Sequence, residues 1–204
     1  MPAIPPGIRG AVITGWGTAL PPKVLTNHDL EQMFETNHDW IVERTGIHQR
    51  HVGGTTTDLS VESARKAITM SGVDPASIDA LILATTTPDR VVPASAPGVA
   101  SELGLRCGAF DVNAACSGFM YGLVMAHGLI AMGAQKIVVI GTDTLARITD
   151  WTDRNTAILF ADGSGAVVLE ACGSSSPFVP TATPRPNCCA APRPTRSPGC
   201  PTGC

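Results

Sequence analysis

The segment Phe110-Asp111-Val112-Asn113-Ala114-Ala115-Cys116-Ser117-Gly118-Phe119 holds the residues best suited to covalent chemistry. A buried-strand pattern ends, small residues turn the chain, and a long uncharged run starts just after a cysteine. A helix starting there offers free N–H groups and partial positive charge at its first turn. Both favour a thiolate, and the thiolate is the nucleophilic form of cysteine. Ala114, Ala115, Ser117 and Gly118 leave space for a substrate beside the sulfur. The same residues also fit an inert core cysteine, and taken alone they leave both readings open.

A base for that thiol is not evident. The five histidines are His28, His38, His48, His51 and His127. The first two fall in a first helix–loop region, and His48 and His51 in a loop after Gly46. His127 lies eleven residues along the helix from Cys116, ~16 Å at the rise of an α-helix, and reads as a hydrogen-bonded core histidine. Cys107, Cys116 and Cys172 have no framework spacing, which fits a reducing, cytoplasmic compartment. Cys188-Cys189 and Cys200-x-x-x-Cys204 lack paired knuckles and a nearby histidine, so no metal is expected.

The elements that must position Cys116 alternate between strand and helix. Residues 11–17 form an apolar, β-branched run. Thr26 and Asn27 can cap a helix through Asp29 to Phe34. Asp58 can cap the next, with Val61, Ala64, Ala67 and Ile68 on one face and an end near Gly72. Asp74-Pro75 marks a turn. Residues 80–86 read as a buried strand, 95–103 as helix, 108–112 as strand, 117–132 as helix and 136–142 as strand. An Asp162-Gly163 turn leads to a final strand over 166–169. Five strands separated by helices argue for a layered α/β domain with a mostly parallel sheet. A dinucleotide-binding fold fits such alternation, but no GxGxxG follows the first strand: Gly15-x-Gly17 runs into Thr18-Ala19-Leu20-Pro21.

Composition excludes other classes. Of 204 residues, 44% are apolar and 15% charged, too apolar and too weakly charged for a wholly disordered chain. The net charge of −3 gives no general field for nucleic acid or anionic lipid. Residues 1–6 show no secretory signal. The uncharged stretch 117–134 is long enough to test as a membrane span. Its glycines and His127 favour a helix in a soluble core. All 17 acidic residues lie at or before Glu170, whereas residues 177–204 hold 8 of the 17 prolines and 4 of the 7 cysteines. Residues 1–176 are therefore expected to be the folded body, and 177–204 a disordered tail whose composition suits a shifted reading frame.

Five patches in order across roughly residues 8–172 carry a resemblance. They are Asp39-Trp40-Ile41-Val42-Glu43-Arg44-Thr45-Gly46-Ile47, Ala84-Thr85-Thr86-Thr87-Pro88-Asp89, the Cys116 segment, Asp150-Trp151-Thr152-Asp153-Arg154-Asn155-Thr156, and Phe160-Ala161-Asp162-Gly163-Ser164-Gly165-Ala166. Together they resemble the β-ketoacyl-acyl-carrier-protein synthase III family of the thiolase-like superfamily, in its N-terminal half. The resemblance implies an acyltransferase of fatty-acid initiation, with a two-half αβα fold and Cys116 as nucleophile. Cys116 would take an acyl group from acetyl-CoA or another acyl-CoA, for condensation with malonyl-acyl-carrier protein. Trp40 and Arg154 match a pair that sandwiches the CoA adenine, and Thr36 and Arg44 match further CoA contacts. Thr86, Leu145 and Phe160 align with an acyl-pocket wall, and Val92 replaces a frequent aromatic. CoA thioester is then a substrate and no cofactor is implied. The family's His and Asn patterns do not occur, so this chain is expected not to condense substrates, to expose an apolar helix face and to aggregate. A full-length protein would be a cytoplasmic homodimer. A polyketide-type ketosynthase and a non-catalytic acyl-CoA-binding half or dimer partner are the alternative readings.

Overall fold

The computed structural model describes residues 9–172. The tail over 177–204, with its four cysteines, lies outside the described residues. The first strand, β1 (Gly10–Ala19), precedes a small hairpin of β2 (Val24–Thr26) and β3 (Gln49–His51). Between the hairpin strands come α1 (Asn27–Glu31) and α2 (His38–Thr45). Then follow α3 (Thr56–Ser71), β4 (Ala80–Ala84), α4 (Ser95–Glu102), β5 (Gly108–Val112) and α5 (Gly118–Ala131). The chain continues through β6 (Lys136–Thr144), α6 (Arg154–Ala157) and β7 (Asp162–Cys172).

The main sheet has the order β1-β7-β6-β4-β5. Strand β4 is parallel to β5 and β6, whereas β7 is antiparallel to both β6 and β1. The sheet is therefore mixed but mostly parallel, as expected: β1, β6, β4 and β5 run one way and β7 alone runs against them. The physical reason lies at residues 162 and 163. They do not turn: they open β7, with Asp162 opposite Thr144 and Gly163 opposite Asp143. The reversal is made earlier, in the loop carrying α6, so the chain returns beside β6 without a crossover helix.

One face of the sheet is covered by α3 and α4. Ala64, Ala67 and Ile68 of α3 and Val99 of α4 pack there on Leu81, Leu83, Val138 and Ile140. The approach of α3 to β1 depends on two glycines. A Cβ at Gly15 would lie 2.2 Å from Ala67 O, and one at Gly17 would lie 2.3 Å from Ser63 O. The other face packs Ile82, Ile137, Val139 and Leu169 against Ala126 and Ile130 of α5. Among the described residues α5 is the one long helix on that face. Paired with Leu169 and Val167, Ile13 and Trp16 point to the same side, and they are exposed, as are Met120, Tyr121, Val124 and Met125 of α5.

Local chemistry explains the element ends. Thr26 caps α1 reciprocally with Asp29, but the helix stops at Glu31 rather than Phe34. The cap of α3 is Thr55, not Asp58; the two sit as a box in which Thr55 accepts from the Asp58 N–H and donates to its carboxylate at 2.7 Å. Gly72 ends α3 in the left-handed region. Strand β4 stops at Ala84 because the next three threonines turn onto Asp143. His38 is the first residue of α2 rather than loop, and His51 belongs to β3.

Carboxylates at strand and loop ends bind backbone N–H groups across the fold. Asp89 accepts from Thr56 N and Thr57 N at the start of α3, and Asp111 from Ser95 N and Ala96 N at the start of α4. Both place negative charge at a helix N-terminus, where it is favoured.

Candidate functional site

Cys116 follows β5 after a three-residue turn. Ala115, immediately before it, has φ 46, the one positive φ at a non-glycine among the described residues. This left-handed step is uncommon for a residue with a Cβ. It lifts Cys116 to an exposed position at the start of α5. Ser117 makes no side-chain cap to α5, so no side chain competes for the first-turn N–H groups.

Glycine contacts hold α5, and so the cysteine, close to the sheet. A Cβ on Gly118 would meet Ala84 Cβ at 3.2 Å, and one on Gly122 would meet Val139 Cγ1 at 3.0 Å. On the strand side, a Cβ on Gly141 would meet the Phe119 ring at 3.1 Å. Cys116 opens onto an apolar cavity of about 620 Å3 that also exposes Trp16, Ala84, Phe119, Gly141 and Asp143. Cys107 offers a contrast. It is half-buried, and burial, reinforced by Asp79, pushes its thiol up from the ordinary range. Of the two, Cys116 is the accessible thiol.

Thr86, Leu145 and Phe160 do not line this cavity. Thr86 lies one hydrogen bond behind it: its N–H and its hydroxyl both donate to Asp143 Oδ1 at 2.7 Å. Thr87 Oγ1 donates to the same oxygen at 3.2 Å. Leu145 and Phe160 are half-buried, Leu145 with its carbonyl accepting from Thr149. Sequence reasoning missed Asp143. The signal for it was the run Thr85-Thr86-Thr87, three adjacent hydroxyls that need an acceptor.

A second cluster gathers three of the four CoA-contact expectations. The Arg154 guanidinium carbon lies 3.6 Å from the Trp40 ring centre, and that of Arg44, one turn along α2, lies at 4.7 Å. Trp40 is backed by Leu30, Ile41 and Ile158. Asn37 caps α2 by accepting from Trp40 N at 2.8 Å, which fixes the tryptophan backbone. Asp153 does the same for α6, accepting from Asn155 N at 3.0 Å next to Arg154. Thr36, the fourth, lies just before α2 with Oγ1 buried and unpartnered, as is Arg154 Nε.

Behind this cluster is a residue that no local pattern singles out, the buried Arg50. It donates to Asn27 Oδ1 and to Ile158 O, each at 2.7 Å. His127 Nε2 donates to Arg9 O at 3.2 Å, as the core reading expects, and His127 does not line the cavity at Cys116. Among the described residues no group of three or more His, Cys, Asp or Glu could hold a metal ion. Among them too, no helix is long and apolar enough to cross a membrane.

Known proteins share this architecture. Residues 110–183 match the family model for 3-oxoacyl-(acyl-carrier-protein) synthase III. A curated β-ketoacyl-(acyl-carrier-protein) synthase III of Thioalkalivibrio sulfidiphilus is 55% identical over 166 residues, covering 79% of this chain and 52% of the relative. The crystal structure of 3-oxoacyl-(acyl-carrier-protein) synthase III from Aquifex aeolicus aligns with a TM-score of 0.78 at 41% identity, over 82% of this chain and 55% of that one. The priming β-ketosynthase of the R1128 polyketide pathway aligns with a TM-score of 0.77 at 32% identity, over 79% of this chain and 50% of that one. The chain spans about half the length of the curated relatives it matches.

Proposed function

Since the chain belongs to the 3-oxoacyl-(acyl-carrier-protein) synthase III family, of which it spans about half a member's length, we propose that it is the acyl-accepting half of such an enzyme. The Cys116 thiolate attacks the carbonyl carbon of an acyl-CoA, acetyl-CoA by preference. A carbon–sulfur bond forms to Cys116, the bond to the CoA sulfur breaks, and CoA leaves as a thiolate that takes up a proton. Trp40, Arg154, Arg44 and Thr36 hold the nucleotide end. Thr86, bonded to Asp143, with Leu145 and Phe160, limits the acyl group. The observation that carries this reading is the exposed Cys116, held beyond a left-handed Ala115 at the mouth of an apolar cavity.

The second step of the family reaction is decarboxylation of malonyl-acyl-carrier protein and attack of its carbanion on the acyl-cysteine. It needs groups that stabilise negative oxygen. Among the described residues no histidine lines the cavity beside Cys116, and we expect no condensation by this chain. The exposed faces of α5, Ile13 and Trp16 then correspond to surface that a second half would cover. The full protein is taken as a cytoplasmic homodimer that uses no cofactor.

The test is mass spectrometry of the purified chain after incubation with acetyl-CoA. An acetyl adduct on the Cys116 peptide, absent in Cys116→Ser, is expected, with no product from malonyl-acyl-carrier protein. Steady malonyl-dependent turnover would overturn the second part, and no adduct the first. The likeness to the R1128 priming ketosynthase favours one further reading, a polyketide-type enzyme with another primer. Competition between acyl-CoAs for Cys116 separates the two.

A further inference from the structure

We propose that His38 is a proton-sensitive latch coupling the helix that carries Trp40 to the helix that carries Arg154, so that nucleotide binding weakens when His38 is protonated. The inference rests on the reading of Trp40 and Arg154 as the two arms of the CoA site.

The latch begins at Arg50, which is 1% exposed. A guanidinium is a donor only. Its contact with Asn27 therefore fixes the amide of this fully buried asparagine with Oδ1 toward Arg50. Asn27 Nδ2 must then donate. It donates to Ile47 O at 2.8 Å and faces His38 Nδ1 at 3.4 Å. In this arrangement His38 Nδ1 is the acceptor. A proton on Nδ1 would set N–H against N–H. The other guanidinium nitrogen of Arg50 binds Ile158 O, directly after α6. One hydrogen-bonded path, His38–Asn27–Arg50–Ile158, joins α2 to α6.

Other chargeable groups crowd His38. The His28 ring stacks on His38 at 5.2 Å with planes 15° apart, and the His48 ring lies 5.7 Å from His38. His28 Nδ1 lies 3.2 Å from Glu31 Oε2, while Glu31 Oε1 accepts from His38 N at 2.8 Å. The His28 contact, then the His38 N–H, hold the Glu31 carboxyl below its usual range. A cation on His28 is matched by Glu31. A second on His38 would face that cation, the positive N-terminus of α2 and the Asn27 amide. Of the neighbouring charged residues, Asp29 on α1 is occupied by its cap to Thr26, Asp39 follows His38 on α2, and Arg50 on β3 donates to Asn27. A proton on His38 Nδ1 would open this path, and imidazole is the side chain whose charge changes within the ordinary pH range.

The experiment uses the purified chain with CoA as probe. CoA binding is measured by calorimetry at about pH 8 and about pH 5.5, where imidazoles differ in charge. Hydrogen exchange over residues 27–51 is followed under the same conditions. His38→Asn keeps an acceptor for Asn27 and does not titrate. The wild-type dissociation constant should rise at least ~5-fold at the lower pH, a typical coupling between sites, while that of His38→Asn stays level. Exchange over α2 should be faster in wild type than in His38→Asn at the lower pH and equal at the higher. If CoA binds neither protein at either pH, the nucleotide reading fails, and the exchange comparison still decides the latch. Equal pH dependence of binding, or equal exchange at the lower pH, overturns the latch. Should His38→Asn not fold, His28→Asn removes the stacked cation. It should move the exchange transition of α2 to higher pH, since His38 then gains its proton without facing a cation, and an unmoved transition overturns the proposal.

Discussion

The Arg154 guanidinium lies 3.6 Å from the centre of the Trp40 ring, in direct stacking contact. No planar base fits between two groups at that separation. On the proposed reading of the pair as the two sides of an adenine site, binding moves one arm outward. Opening breaks a cation–π interaction and replaces it with base stacking on both sides.

Truncating either arm should therefore weaken CoA binding. Trp40→Ala and Arg154→Ala are each expected to reduce affinity ~10-fold, on the scale of one desolvated cation–π or base-stacking contact. A pantetheine thioester lacking the nucleotide should bind wild type and variants alike. Calorimetry with both ligands checks this, and an equal loss for both would place Trp40 in packing alone.

Ala115 carries the one left-handed non-glycine backbone among the described residues. An L-residue there costs about 1–2 kcal/mol. Ala115→Gly should hold stability level or raise it by about 1 kcal/mol, since the glycine's greater unfolded freedom offsets part of the relief. Ala115→Val should lower it by more than that and slow alkylation of Cys116. Denaturant midpoints and iodoacetamide labelling of the Cys116 peptide read both effects.

Asp89 sets a pH dependence whose sign follows from its partners. Burial raises its carboxyl, but the Thr57 hydroxyl, the Thr57 and Thr56 N–H groups and Arg147 outweigh that and hold it below its ordinary value. A carboxyl lower in the folded than in the unfolded state stabilises above the unfolded value, about pH 4, and the contribution is lost as pH falls through the folded value. The melting temperature should fall on acidification through that window. Asp89→Asn should melt lower at neutral pH with a shallower acid limb.

Gly122 lets α5 lie against β6, since a Cβ there would reach Val139 at 3.0 Å. Gly122→Leu should destabilise by about 1–3 kcal/mol through overpacking. Gly128, with nothing within 4 Å of an added Cβ, is the internal control. Gly128→Ala should be neutral or stabilising through helix propensity, about 1 kcal/mol at most.

Tyr121 and Val124 of α5, at 57% and 66% exposure, belong to an uncharged apolar face. The chain on its own should associate in a concentration-dependent way. Val124→Lys should reduce that association, read by light scattering. A wild-type chain that is already a monodisperse monomer would refute the prediction.

The long elements were legible in the sequence because their apolar period is strong. Val61, Ala64, Ala67 and Ile68 of α3 fall on the buried face as the pattern requires. Helix α2 was not, being eight residues long with Ile41 its one buried residue, too short for a period to register. The cap of α3 was misplaced because Thr55 and Asp58 are both good capping residues and hydrogen-bond each other. At the site, Cys116, Trp40, Arg44 and Arg154 were legible through local motifs, and the structure gathers the last three. Asp143 and Arg50 were not. Asp143 acts on a turn 56 to 58 residues away and Arg50 on a carbonyl 108 residues away, so neither leaves a local pattern.

Gly15 and Gly17, set against the α3 backbone, act on folding as notches that key β1 into one seating. A slip of one residue along β7 would turn Trp16 toward Ser63 and Ala67, where no side chain fits, and carry both notches to the open side. A strand seated that way cannot close onto α3, so the shape of β1 itself selects the register.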